Sequence, residues 1–289
     1  MPDGAVLPAR RWLPSGGPPG RVALMLHGMN DSRDWLDIPA PAFTDAGFAL
    51  YAPDQRGFGQ APGRGFWPGV PALVADAGQL VRQVRALHPG VPLFLAGESM
   101  GGAVSMVAST SPGMPPVDGV VLLSPAVWGR AQLGFLLSTG LWLVAAVAPG
   151  YHATGREVPI KVVASDNREA LLALVRNPLT LRTTRFDAVR GLVDLMDAAQ
   201  GAAPRLRDRV LALHGAKDML VPEDAMAATW RTMPTTVRRG LYPRGYHLLT
   251  RDLQRGAPIG DILAWAANPD GFLPSGADFG AASWRAVHS

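Results

Sequence analysis

Cysteine is absent from the 289-residue chain. Disulfides, thiolate catalysis and cysteine-ligated metal sites are therefore excluded. Charge is sparse as well: Asp, Glu, Lys and Arg make up 17% of residues, with 27 basic against 23 acidic and a net charge of +4. The basic residues are scattered and form no run, and no nucleic-acid-binding module is recognisable. No apolar run reaches the roughly 20 residues that a membrane span needs. The longest, 133–148, is broken by Ser138, Thr139 and Gly140. The first residues lack a basic segment followed by an apolar core, so the expectation is a cytoplasmic protein.

What is abundant is apolar. Hydrophobic residues are 48% of the chain, and 33 Gly and 27 Pro punctuate them without forming low-complexity tracts. A large core joined by many short loops follows. The length fits one large domain or two ordinary ones.

The apolar segments alternate in kind. Residues 22–26 (Val-Ala-Leu-Met-Leu), 48–52, 93–97, 117–123 and 210–213 are short continuous runs, as in strands buried on both faces. Residues 5–13 suggest an edge strand, and 236–241 a further one. Leu73, Ala77, Leu80, Val81, Val84 and Leu87 recur at helical spacing, and His88-Pro89-Gly90 stops that helix. Residues 223–233 and 259–267 also read as helices. This alternation predicts an α/β fold with a mostly parallel sheet covered on both faces. The rhythm breaks over 126–207, which is helical and apolar. The expected organisation is a core of 1–125 and 208–268, an inserted helical cap at 126–207, and a loosely attached tail at 269–289.

Leu93 to Gly102 carries the chemistry. A strand runs into Gly97-Glu98-Ser99-Met100-Gly101, and a helix follows. This strand–turn–helix order lifts a serine above the strand ends. Gly97 and Gly101 lack the β-carbons that would collide where strand and helix cross. A serine hydroxyl needs a base to attack, normally a histidine held by a carboxylate. With this turn the chain order is serine, acid, histidine. Asp218, just beyond the 210–213 strand, and His247, just beyond the next, meet it. Asp194 and Asp197 lie within a helical pattern, and His88, His152 and His288 follow no suitable strand end. His214-Gly215 reads as a structural turn. Attack on an ester leaves negative charge on oxygen, and one preorganised N–H donor is worth about 2.7–4 kcal/mol to it. The backbone N–H groups of Met100 and Met29 are the candidate donors, the second made available by the turn at His27-Gly28.

His27-Gly28-Met29-Asn30-Asp31, Asp54-Gln55-Arg56-Gly57-Phe58-Gly59, Gly97-Glu98-Ser99-Met100-Gly101-Gly102, His214-Gly215 with Asp218, and Tyr246-His247 occur in that order. Together they resemble the α/β-hydrolase superfamily, and more closely its monoacylglycerol lipase and lysophospholipase branch, akin to the serine aminopeptidase S33 proteins. The resemblance spans about residues 20–267. It implies an α/β-hydrolase fold and a serine hydrolase of carboxylic esters acting through an acyl-enzyme, without cofactor or metal. It further implies that Ser99, Asp218 and His247 form a triad, with Met29 and Met100 as oxyanion donors. Glu98 departs from the pattern, since the branch often has histidine there.

The expected substrate is a monoacylglycerol, a lysophospholipid or a related small-molecule ester. His27, Glu98, Trp128, Phe135, Leu136 and Trp142 are candidates for lining its pocket, with Trp67 near by. Asp54-Gln55-Arg56-Gly57 reads as a structural loop. The apolar surface of the cap suggests transient contact with a membrane or micelle. Two other readings compete: a broad-specificity carboxylesterase or thioesterase on small esters, and a non-catalytic lipid-binding module on the same fold.

Overall fold

A computed structural model describes residues 1–134, 144–145, 147–153, 162–207 and 209–288. In chain order the elements are β1 (Ala9–Trp12), β2 (Arg21–Leu26), α1 (Ala40–Asp45), β3 (Phe48–Pro53), α2 (Val70–Leu87), β4 (Leu93–Glu98), α3 (Met100–Ser109) and β5 (Gly119–Leu123). Then come α4 (Arg130–Leu133), β6 (His152–Ala153), α5 (Arg168–Arg176), β7 (Thr184–Arg185) and α6 (Phe186–Ala202). The chain finishes with β8 (Val210–Gly215), α7 (Glu223–Thr232), β9 (Arg238–Tyr242), α8 (Gly256–Ala267) and α9 (Ala277–His288).

Seven strands form one sheet in the order β1-β3-β2-β4-β5-β8-β9. Only β1 runs antiparallel, against β3 at the edge. The remaining six are parallel, which places all their carboxyl ends on one rim. The apolar runs are explained by burial on both faces. Along β2, Val22, Leu24 and Leu26 enter one core layer and Ala23 and Met25 the other. In β8, Val210 and Ala212 alternate with Leu211 and Leu213 in the same way. That period of two is the strand's pleat. Helices α2, α3 and α6 cover the first layer, while α1 and α8 cover the second with Phe43, Ile262 and Trp265.

Two expectations need correction. The helical segment does not form a separate cap as far as residue 207. Leu195, Ala199 and Ala202 of α6 are fully buried in the core layer that also holds Ala103 and Val104 of α3. Parallel neighbours β5 and β8 must be joined by a crossover, and α6 is its helix. Helical periodicity marks a buried face without naming what buries it. Nor is the tail loose. Helix α9 packs on β9, with Leu273, Ala277 and Ala281 buried and Arg238 paired with Asp278 at 3.5 Å. The small residues that suggested looseness, Ala277, Gly280 and Ala281, are what let the helix come close to the strand. A β-carbon on Gly280 would lie 3.1 Å from the Leu241 oxygen. Among the described residues, no helix is long and apolar enough to cross a membrane.

Candidate active site

Ser99 stands between the end of β4 and the start of α3 with φ 52° and ψ −114°. This is a region that side-chain-bearing residues avoid, at a cost of about 1–3 kcal/mol. The surroundings enforce it. The Ser99 N–H donates to the Leu123 oxygen at 2.9 Å, and the Ser99 oxygen accepts from Ala103 at 3.0 Å and Ala126 at 2.9 Å. Helix α3 presses close on both sides. A β-carbon on Gly97 would lie 2.6 Å from the Gly102 nitrogen, and one on Gly101 2.6 Å from the Leu26 carbonyl carbon. Gly101 thus clears a way past the end of β2 rather than past its own strand. Ser99 is left half-buried at the rim.

Met100 is the first residue of α3, where a helix offers its N–H no internal acceptor. Met29 lies in the loop after β2, half-buried beside the core. A β-carbon on Gly28, one residue before it, would touch the Ser99 β-carbon at 3.4 Å. The β2 loop therefore passes directly beside the serine.

The candidate acid and base come from neighbouring strands. Asp218 follows β8 and His247 follows β9, and two backbone bonds tie their loops together. Ala216 N–H donates to the Tyr242 oxygen and Lys217 N–H to the Gly245 oxygen, each at 2.9 Å. The Asp218 carboxylate has one oxygen fixed by the N–H groups of Leu220 (2.8 Å) and Val221 (3.0 Å). Its other oxygen accepts from His247 Nδ1 at 2.7 Å. With Nδ1 donating, His247 Nε2 keeps its lone pair. Burial would raise the Asp218 pKa, but the adjacent His247 outweighs it and holds it at about 2. Burial would likewise lower the His247 pKa, while Asp218 and then Glu98 prevail and raise it.

Four of the rivals are engaged elsewhere. Asp194 and Asp197 both pair with Arg130. His88 meets the Tyr51 hydroxyl at 2.8 Å, and His152 meets Thr183 at 3.0 Å. His214 is 3.7 Å from Asp218, too far for a hydrogen bond. Burial lowers its pKa to about 4, so it stays neutral.

Among the expected pocket residues, His27 and Glu98 are both fully buried and present no surface to a ligand. His27 Nδ1 donates to the Gly28 oxygen at 2.8 Å, and its Nε2 accepts from Gln55 N–H at 3.0 Å. It braces the loop that carries Met29, as the Asp54-Gln55-Arg56 loop does from beneath. Gln55 Nε2 holds the His27 oxygen at 2.7 Å, and Asp54 pairs with Arg33. Glu98 pairs with Arg251, which pairs in turn with Asp31 at 2.8 Å. Asp31 closes the His27-to-Asp31 string but was given no role there, and Arg251 stands in no quoted motif, so no sequence signal joined the two. Trp128 is half-buried on the loop after β5, which α6 anchors through Gln200 Nε2 to the Val127 oxygen at 2.8 Å. Trp67 packs on Gly191 of α6. Phe135, Leu136 and Trp142 lie outside the described residues. Among the described residues, no group of three or more His, Asp or Glu is arranged to hold a metal ion.

A mostly parallel sheet with a strained serine at the tip of a central strand and an Asp–His pair on the same rim defines the α/β-hydrolase class. Comparison with known proteins narrows this. The family model described as serine aminopeptidase, S33, matches residues 17–254, and the chain belongs to that family. It is 25% identical to a monoacylglycerol lipase of Mycolicibacterium smegmatis over 88% of this chain and 90% of the other. It is 27% identical to the mouse monoglyceride lipase over 92% and 88%. A solved structure of a soluble variant of the Saccharomyces cerevisiae monoglyceride lipase, in complex with a substrate analog, superposes with a TM-score of 0.75. That likeness has 19% identity and covers 91% of this chain and 92% of that one.

Proposed function

We propose that this carboxylic-ester hydrolase cleaves monoacylglycerols and similar monoacyl lipids, with Ser99, His247 and Asp218 as its triad. The reading is carried by the 2.7 Å contact between Asp218 and His247, made by two loops on the rim where Ser99 stands. The family and the monoglyceride lipases that match nearly the whole chain support the ester substrate. In this mechanism Ser99 Oγ attacks the ester carbonyl carbon as its proton passes to His247 Nε2. The negative charge falls on the carbonyl oxygen, which accepts from the N–H groups of Met29 and Met100. The intermediate collapses, His247 returns the proton to the departing alcohol oxygen, and an acyl-Ser99 ester remains. Water then attacks the acyl carbon and gives a proton to His247; as the C–Oγ bond breaks, His247 returns that proton to Ser99 Oγ and the carboxylic acid leaves. Asp218 holds the imidazole in the productive tautomer and offsets its charge.

In the same reading, the segment between β5 and α6 caps the rim and makes transient contact with a membrane or micelle. Val147 and Tyr151, exposed on that segment, support the contact. The test is Ser99→Ala assayed on monoacylglycerol, lysophosphatidylcholine and p-nitrophenyl esters of graded chain length. Turnover should fall to background on all of them, and wild-type turnover should favour the monoacylglycerol. Undiminished hydrolysis by Ser99→Ala would remove the serine from the mechanism. A preference for short esters would favour a general carboxylesterase.

A further inference from the structure

Three loops meet under the serine, and one side chain touches all of them. Arg251 lies four residues beyond His247 in the histidine loop. Its Nη1 donates to Asp31 Oδ2 at 2.8 Å, two residues past Met29 in the loop after β2. Its Nη2 pairs with Glu98, immediately before Ser99. Arg251, Asp31 and Glu98 are all at most 5% exposed. The arginine is itself held from behind. Its N–H donates to the Leu248 oxygen at 2.8 Å, and its carbonyl accepts from Asn167 Nδ2 at 2.8 Å. The next residue, Asp252, accepts from Tyr246 N–H at 2.8 Å and from the Ser165 hydroxyl at 2.5 Å. The Trp35 ring lies 5.8 Å from the guanidinium.

Burying three charges is expensive, and apolar residues of similar size would often serve stability as well. What the charges add is direction. A planar guanidinium fixes where two carboxylates can sit, and each of these belongs to a different loop. We propose that Arg251 is the positioning residue of this active site, cross-linking the Met29 loop and the Ser99 turn to the loop that carries His247. The serine, the base and the oxyanion donors then cannot drift independently. The proposal rests on the hydrolase reading above, which phosphonate labelling of Ser99 in the wild-type protein tests on its own.

The experiment uses Arg251→Met together with the triple variant Asp31→Asn, Glu98→Gln, Arg251→Met, which leaves no buried carboxylate without its cation. A misplacement of 1 Å at a reacting centre costs roughly 10²-fold in rate. The triple variant should therefore melt within a few degrees of wild type, yet lose roughly 10²-fold in kcat with KM nearly unchanged. Arg251→Lys, which keeps the charge without the planar fork, should recover part of that loss. Glu98→Gln adds a pH readout. His247 faces Asp218 and His214 from the β8 side, Glu98 from the serine turn, and Arg251 from its own loop. Removing the Glu98 carboxylate should move the acid limb of kcat/KM to lower pH. A folded triple variant with kcat within threefold of wild type would overturn the proposal. So would a loss confined to KM, or a loss of rate that merely tracks the folded fraction.

Discussion

Gly101→Ala adds one methyl group where the start of α3 passes the end of β2. The new carbon would stand 2.6 Å from the Leu26 carbonyl carbon and 2.8 Å from the His27 oxygen. Both partners are main chain, so neither can swing aside. Restoring ordinary contact requires α3 and the β2 loop to separate by about 1 Å. Overpacking of this kind costs about 1–3 kcal/mol of stability. The larger effect should be on rate, because the two backbones forced apart carry Met100 and Met29. A shift of about 1 Å between the two proposed oxyanion donors should lower kcat/KM by roughly 10²-fold. Thermal melting and steady-state hydrolysis of a soluble ester measure the two effects separately. Gly260→Ala is the control. It lies in α8 with nothing within 4 Å of the added carbon, and Ala there should be neutral or stabilising by about 0.5–1 kcal/mol. Gly101→Ala with wild-type melting and a kcat/KM within threefold would refute the close approach on which the donor geometry depends.

Other outcomes follow from the same contacts. Asp218→Asn, which keeps shape but favours the wrong histidine tautomer, should lower kcat by about 10⁴-fold with little change in KM; a loss below tenfold would argue against Asp218 as the orienting acid. The acid limb of kcat/KM should be a single protonation centred above the ordinary histidine value of about 6.5, because the proposed mechanism needs His247 neutral and its neighbours raise its proton affinity. A midpoint below 6 would contradict the pairing with Asp218. Removal of residues 277–289 should lower the urea midpoint clearly, since it uncovers Leu273 and the outer face of β9; each large side chain exposed costs about 1.5–3 kcal/mol. An unchanged midpoint would mean that α9 contributes nothing to the fold.

The triad candidates were legible because each occupies a place that a rule defines. Ser99 sits in a turn whose glycines are required by steric contact, and Asp218 and His247 each follow a strand that reads as a strand. His27 and Glu98 misled for one reason: Glu98 precedes Ser99 and His27 lies two residues before Met29, yet their side chains are buried in the protein. His27 serves backbone atoms, and Glu98 serves Arg251. Glu98 also replaces the histidine that the resemblance predicts, and its partner lies 153 positions away. Arg251 escaped notice because an arginine in a loop is ordinary, and only its neighbours in space make it otherwise.

The sequence by itself determined the strands, their near-parallel sheet and the order of the candidate nucleophile, acid and base. Those features are written in local periodicity and in turn chemistry, which act over a few residues. Tertiary structure alone decided that α6 belongs to the core, that the final helix is pinned to β9, and that one buried guanidinium joins three loops. A pattern of apolar or charged residues states that a face must be covered or a charge matched. It does not state by what, because the matching surface comes from a distant part of the chain and exists only once the chain has folded.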